Sequence, residues 1–365
     1  MFDHKMIEYV SLSHFILSMI GYIFGFFIFG KLKRPCIKNI VWGSISRQMY
    51  NISVCIYFVT SIYMFAVYGS PLLAGESRIG FYKNIGIIKI INDLFQLVSI
   101  FFIVEKITVK NTVSLRQIIE ALVVFIALLL SGSKSAFFQL FVAVNIYLYY
   151  FTDRKILSNK YIILLSSIFV IIIAFRLNGN YDYLLLEVIN AIAGRGDVYV
   201  NFYGAGYDNI LSYYNSMGID NFVLNVCNST LTRFGLLNYD DSLVKYTWSD
   251  KMSIYISGST FDGGVNNVFN VFSLTYVGFW GSVIATFIVG MISGWIRNKL
   301  IYVVDVSNVY VRLIFFIVLI NLPSLFIMIH GFVSFVVTSI IILTMVYVFL
   351  FMVSNYLTVT GERDV

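Results

Sequence analysis

Apolar runs of about 20 residues recur along the chain, and they restrict its fold more than any other feature. A helix needs about 20 apolar residues to cross the hydrocarbon core of a bilayer. Such runs lie at roughly 8–30, 50–68, 87–104, 117–133, 136–151, 161–177, 269–294, 313–329 and 332–353. Charged residues make up only 12% of the 365 residues, against about 25% in soluble proteins. The sequence therefore predicts an all-α polytopic membrane protein with about 9 spans, in a range of 9–11.

Basic residues are concentrated in alternate loops, which predicts the orientation of the spans. Fifteen of them lie in segments 31–49, 105–117, 152–160 and 297–312 and in the tail after Ser354. These segments share one side by parity, and an excess of Lys and Arg marks the cytoplasmic side. Two crossings must separate 105–117 from 152–160 if both lie on that side, so a turn at 131–135 is expected to divide the apolar stretch between them. We expect a cytoplasmic C-terminus and an external N-terminus, and the net charge of +6 gives no reason to expect a nucleic-acid partner.

Residues 178–265 form the longest polar segment and lie on the external side. Their nine acidic and four basic residues give a net charge of −5, so the rest of the chain carries +11. The predicted organisation is a transmembrane bundle over 1–177, an external loop subdomain over 178–265, a second bundle over 266–353 and a tail over 354–365. Ten tyrosines in the loop suit carbohydrate, because aromatic faces stack on sugars. The alternative is a membrane-interface belt of tyrosines.

Isolated cations on the external side are candidates for binding a lipid diphosphate. Guanidinium groups match phosphate oxygens and stay charged, which favours Arg195, with Arg176, Arg233 and Lys134 in support. The alternatives are a lipid headgroup contact for Arg176 and an ion pair within the loop for Arg233.

A glycine-rich run precedes the seventh predicted span. Adjacent glycines followed by amides let backbone approach a ligand closely, and here they form Gly263-Gly264-Val265-Asn266-Asn267. The span that follows contains Gly278, Gly281, Gly290 and Gly294, a composition typical of close helix packing.

Neither a metal nor a cofactor is expected from the cysteines and histidines. Cys36, Cys55 and Cys227 match no zinc or redox spacing. Gly132-Ser133-Lys134-Ser135 lacks the glycine and the strand that a phosphate-binding loop requires. His330 lies in the predicted external hairpin between the last two spans, where an ionisable group is a functional candidate; a solvated turn residue is the alternative.

Three features of the chain resemble the Wzy-type polymerases of O-antigen and capsule repeat units in bacterial inner membranes. One is the turn Leu130-Ser131-Gly132-Ser133-Lys134-Ser135-Ala136, and another is the long external loop, which would be periplasmic. The third is the glycine–asparagine run leading to Tyr276-Val277-Gly278-Phe279-Trp280-Gly281. An arginine separated from a glycine by ten residues, present in some members, is matched by Arg195 and Gly206.

The resemblance implies a membrane glycosyltransferase with a GT-C-like bundle, and no cofactor or metal. An acceptor hydroxyl of one undecaprenyl-diphosphate-linked repeat unit would attack the anomeric carbon of a lipid-linked chain, and the lipid diphosphate would leave. Arg195 would stabilise that leaving group, and Asp197, Asp262 or His330 would be the base. Partners would be the lipid-linked oligosaccharide, membrane lipid, a chain-length regulator and a flippase.

Two rival functions remain from the same sequence. A flippase or exporter would carry polar residues inside its bundle, whereas Asp93 is the clearest charge in the middle of a predicted span. A ligase that transfers glycan to a lipid acceptor would use nearly the same chemistry as the polymerase.

Overall fold

The structure is a computed structural model, and its described residues are almost entirely helical. It describes residues 4–28, 43–70, 87–110, 114–131, 134–151, 223, 226–227, 230–231, 269–298, 308–327 and 329–361. The helices in these ranges are α1 His4–Phe27, α2 Ser44–Tyr68, α3 Ile87–Lys110, α4 Leu115–Leu130, α5 Lys134–Phe151, α6 Phe269–Asn298, α7 Val309–Asn321, α8 Ser324–Ile327 and α9 Ile329–Gly361. The all-α prediction is confirmed for this part of the chain.

Within the described residues, three segments are long and apolar enough to cross a membrane: Ser44–Tyr68, Tyr276–Asn298 and Gly331–Ser354. Shorter apolar helical segments lie at Leu12–Phe27, Leu140–Phe151 and Val309–Asn321. Seven of the nine predicted runs coincide with described helices. The run at 313–329 is divided between helices, and the run at 161–177 lies outside the described residues.

The continuous span predicted over 313–329 is wrong. α7 already begins at Val309 and ends at Asn321, and the short α8 follows. Pro323 has no backbone N–H to donate, and its ring disfavours helical backbone at the preceding residue, which explains why α7 ends just before it. The chain turns more tightly instead: Leu325 N donates to Leu322 O and Phe326 N to Pro323 O, each at 3.1 Å.

Two helices extend into segments that the sequence assigns to cytoplasmic loops. α3 continues to Lys110, and α4 starts at Leu115. A capping box explains that start: Ser114 Oγ accepts from the Gln117 backbone N–H, while Gln117 Oε1 accepts from the Ser114 backbone N–H at 2.7 Å. α4 ends at Leu130 and α5 begins at Lys134, where the sequence predicts a turn.

The chain forms two compact units. The first contains α1, α6, α8 and the part of α9 up to Thr338. The second contains α2 to α5, α7 as far as Ile320 and α9 from Ser339 onward. Each unit has its own packing, described separately below.

In the first unit, α1 and α6 pack backbone against backbone through glycines. Each helix carries two glycines four residues apart: Gly21 and Gly25 on α1, and Gly290 and Gly294 on α6. A Cβ atom at any of these positions would overlap backbone atoms of the partner helix, a packing mode typical of membrane helices. Close packing is thus confirmed for Gly290 and Gly294, whereas the sequence pattern did not predict that the two glycines on α1 would be their partners.

The same contacts show that α1 and α6 run parallel. Ser18 lies against Gly290, and Tyr22 lies against Gly294. Farther along both helices, Asn298 Nδ2 donates to Phe26 O at 2.7 Å. Residue numbers therefore rise together along the two helices.

In the second unit, α3 occupies the centre of an aromatic core. The Phe101 ring packs against Tyr147 and Phe151 of α5 and against Phe316 of α7. Leu94, Val98 and Phe101 of α3 are completely buried. The aromatic core thus packs α3, α5 and α7 together, although these helices are distant in sequence.

Candidate functional site

A glycine break interrupts α6 within the stretch Tyr276-Val277-Gly278-Phe279-Trp280-Gly281. Gly278 has φ 68° and ψ −175°, a backbone region that is essentially reserved for glycine. An added Cβ at this position would meet no atom within 4 Å. The glycine is therefore required by backbone conformation and not by crowding.

A buried histidine–serine pair lies one helical turn beyond this break. The Ser282 hydroxyl donates to the Phe279 carbonyl at 2.7 Å, and His14 Nε2 lies 2.7 Å from the same hydroxyl oxygen. The Ser282 hydroxyl therefore lies between the Phe279 carbonyl and the His14 imidazole. The imidazole also meets the Phe279 ring edge to face, with centroids 6.2 Å apart.

This arrangement has the features of a discontinuous membrane helix. A break inside a span releases backbone N–H and C=O groups, which are tolerated where protein or a polar cavity satisfies them. Transporters place substrates and ions at such breaks. The break lies near the N-terminal end of α6.

A second polar cluster lies inside the second unit. Arg312 Nη2 donates to Glu105 Oε1 at 2.7 Å, and the exposed fractions of the two side chains are 2% and 0%. Tyr147 of α5 is also fully buried in this unit. An ion pair inside a membrane bundle is costly, and such pairs are functional candidates by default.

A third polar cluster joins α2 and α3. The Asn92 amide donates to Thr60 Oγ1 at 2.9 Å and to Ser61 Oγ at 2.8 Å. One residue later, Asp93 pairs with Lys89 on the surface of α3. Interhelical bonds of this type hold membrane helices together, and we assign this cluster to packing.

Of the predicted site residues, the structure describes only the backbones of Lys134 and His330. Lys134 is the first residue of α5, in the second unit, and His330 is the second residue of α9, in the first unit. The other predicted positions lie outside the described residues: Arg176, Arg195, Asp197, Gly206, Arg233, Asp262, Gly263, Gly264, Asn266 and Asn267. Their assignments stay predictions.

Sequence reasoning missed the Glu105–Arg312 pair because both residues fell in predicted loops. A signal was present, however. Arg312 follows Val309-Tyr310-Val311 and precedes Leu313-Ile314-Phe315-Phe316, so apolar residues flank it on both sides. An arginine in that setting needs a buried acid on another helix.

Comparison with protein-family models, with curated proteins and with solved structures finds no match to this chain.

Proposed function

We propose that this chain polymerises undecaprenyl-diphosphate-linked oligosaccharide repeat units at the periplasmic face of a bacterial inner membrane. The observation that carries the proposal is the Gly278 break. It falls on a glycine of the motif that the chain shares with the Wzy-type polymerases, and only glycine suits the backbone there. Because the backbone at Gly278 requires glycine, the break supports a functional site at the external end of α6.

The direction of the helices supports the nine-span arrangement of that proposal. Contacts from Tyr50 to Glu120 and from Ser70 to Leu130 make α2 and α4 parallel. Contacts of α3 with α2 and α7, such as Asn92 with Thr60 and Glu105 with Arg312, are consistent with alternating consecutive spans. With the turn that the sequence predicts at 131–135, α5 is expected to return across the membrane, so that α5 and α7 run in opposite directions.

This parity requires an even number of crossings between α5 and α7. α6 supplies one, so one more is expected between 152 and 268, as the predicted span 161–177 provides. Since α1 and α6 are parallel, the N-terminus is expected on the side opposite the basic segment 297–312. In the proposed topology, the 178–265 loop is therefore expected outside.

In this proposal the reaction uses a pre-activated donor, so neither a nucleotide nor a metal is needed. The acceptor hydroxyl attacks the anomeric carbon, its proton passes to Asp197, Asp262 or His330, and the diphosphate leaves. Arg195 compensates the charge that develops on the diphosphate, and Arg176, Arg233 and Lys134 are the supporting cations of the proposal.

Replacement of Arg195 tests the proposal. In a strain that lacks the native gene, Arg195→Ala should leave surface lipid with a single repeat unit, while Arg195→Lys should retain partial chain growth. Lys245→Ala removes another loop cation and serves as the matched control. Full-length polysaccharide with Arg195→Ala at normal expression would exclude the assignment.

The buried Glu105–Arg312 pair favours one alternative, a flippase or exporter of lipid-linked oligosaccharide. Buried ion pairs in bundles mark substrate and ion pathways. Deletion of the gene separates the functions: loss of a polymerase leaves one repeat unit per surface lipid, whereas loss of a ligase leaves none. Loss of a flippase holds the units on the cytoplasmic leaflet.

A further inference from the structure

A row of polar side chains lies buried between α2 and α3. Its members are at most 8% exposed: Ser53 and Tyr57 of α2, and Gln96 and Ser99 of α3. On each helix the two residues are three or four positions apart, so they lie on one face of that helix. We call this row the polar seam.

The two helices run antiparallel, which aligns the two halves of the seam. Near one end, the ring centroids of Tyr50 and Phe102 are 6.1 Å apart. Near the other end, Asn92 Nδ2 donates to Ser61 Oγ at 2.8 Å. This register places the α2 members of the seam level with its α3 members.

The hydroxyls of the seam do not bond across the interface as the Asn92 amide does. Ser53 Oγ donates within its own helix, to Met49 O at 2.6 Å. Ser99 Oγ is completely buried and has no hydrogen-bond partner among the described residues. A buried hydroxyl without a partner is costly, and a bridging water is the usual partner of such a group. A water between the two serines would accept from Ser99 and donate to Ser53.

The polarity of α2 is also reversed relative to a helix of a soluble protein. Its outward face is apolar, and Phe58, Val59, Ile62 and Val67 are 45–57% exposed. Five of the seven buried residues that α2 contributes carry a hydroxyl group: Ser46, Tyr50, Ser53, Tyr57 and Ser61. The hydroxyl groups of this helix are thus concentrated in its protein interface.

A carboxylate lies at each end of the seam. Asp93, whose side chain is 44% exposed, is three residues before Gln96 on α3, so the two are neighbours on the helix surface. At the opposite end, the Tyr50 hydroxyl donates to Glu120 Oε2. Tyr50 is three residues before Ser53 on α2 and continues the same row.

Basic residues hold both carboxylates in place. Lys89 pairs with Asp93, and Arg116 Nε donates to Glu120 Oε1 at 2.7 Å. Lys106 Nζ lies 4.5 Å from the centre of the Tyr50 ring. Each acid is therefore fixed beside the polar group that begins or ends the row.

We infer that the polar seam and the water that it binds carry protons between Asp93 and Glu120. A proton that reaches Asp93 passes through water held by Gln96 to the Tyr57 hydroxyl. It continues by way of the two serines and Tyr50 to Glu120. Each hydroxyl accepts one proton and donates another, so the seam itself gains no charge.

The spacing of the groups suits this role. Cβ atoms three or four residues apart on a helix are separated by about 5–6 Å, a gap that one water molecule bridges. Chains of acidic and polar groups serve as proton relays inside membrane proteins. The inference does not depend on the proposed polymerase activity, nor on which membrane face is cytoplasmic.

The test uses the full-length protein in liposomes that enclose a pH-sensitive fluorescent dye. A potassium diffusion potential, set with valinomycin, drives protons inward, and the dye reports the rate of acidification. Wild-type liposomes should acidify faster than protein-free liposomes. The combined variant Ser53→Ala/Tyr57→Phe/Ser99→Ala should fall to the protein-free rate, and its thermal unfolding in detergent shows whether it is folded.

Asp93→Asn keeps the test decisive if the combined variant does not fold, because it changes a partly exposed side chain. It should also slow acidification, since an amide cannot take up the proton. Tyr63→Phe is the matched control: it removes a hydroxyl from the outward face of α2, where Tyr63 is 42% exposed, and should acidify as wild type does.

Three results would overturn the inference. The first is a wild-type rate equal to that of protein-free liposomes. The second is a wild-type rate in Asp93→Asn or in the folded combined variant. The third is a loss in Tyr63→Phe as large as that in the combined variant, because the effect would then not be specific to the seam.

Discussion

Arg312 and Glu105 form an ion pair of 2.7 Å with almost no exposure of either side chain. The pair joins α7 to α3, and the Phe101 ring that packs one turn away contacts Phe316 of the same α7. Removing two charges from water costs several kcal/mol for each ion, so a buried pair is tolerated only when both partners are present. This interdependence can be measured.

Loss of either member of the pair should destabilise the protein far more than loss of both. Arg312→Met leaves the Glu105 carboxylate buried without its partner, and Glu105→Leu leaves the Arg312 guanidinium without its partner. Each change should lower the free energy of unfolding by about 3–5 kcal/mol. The double variant should regain most of that stability, because no unpaired charge is left. Denaturant unfolding in detergent measures the three free energies of unfolding.

The Lys89–Asp93 pair on the same helix provides the comparison. Its side chains are 24% and 44% exposed, and an exposed pair contributes about 0–1 kcal/mol. Lys89→Met should therefore have little effect. A double Glu105→Leu/Arg312→Met variant that is as unstable as the two single changes combined would refute the interdependence.

Glycine packing between α1 and α6 predicts a position-dependent penalty for added side chains. Gly25→Ser and Gly290→Ser should each destabilise by about 1–3 kcal/mol, since the new atoms overlap backbone that cannot move aside. Thermal unfolding of purified protein in detergent is the measurement. Gly43→Ser is the control: an added Cβ meets nothing within 4 Å, and serine is a preferred N-cap for α2. Equal melting temperatures for all three variants would contradict the packing.

The apolar runs predicted most of the described helices because a bilayer requires both length and apolar composition. Helix ends were less predictable, since capping at Ser114 and the break at Pro323 are local hydrogen-bonding events. The Glu105–Arg312 pair also escaped prediction, because each residue stands beside a run and only the tertiary fold shows that both are buried. Conversely, the sequence shows Gly278 as part of a motif, but it does not predict the positive φ of this residue.

Gly278→Ser should cost about 1–3 kcal/mol although the site has room for the side chain. The cost comes from the backbone conformation, which L-residues avoid. If the break also forms part of the polymerase site, the variant should shorten the polysaccharide at normal expression. Gel profiles of chain length and immunoblots of protein level separate the two effects. Polysaccharide of wild-type length together with unchanged stability would mean that α6 is not broken at this glycine.

The parallel packing of α1 and α6 predicts that their corresponding ends face the same side of the membrane. The test uses single cysteines in a background in which Cys36, Cys55 and Cys227 are replaced by serine. Lys5→Cys should react with an impermeant maleimide in spheroplasts, whereas Asn298→Cys should react only after permeabilisation. A cysteine at Asn355 reports permeabilisation, because the basic excess predicts the C-terminal tail inside. Labelling of positions 5 and 298 from the same side would require the two helices to run antiparallel, and the glycine contacts between them would then be excluded.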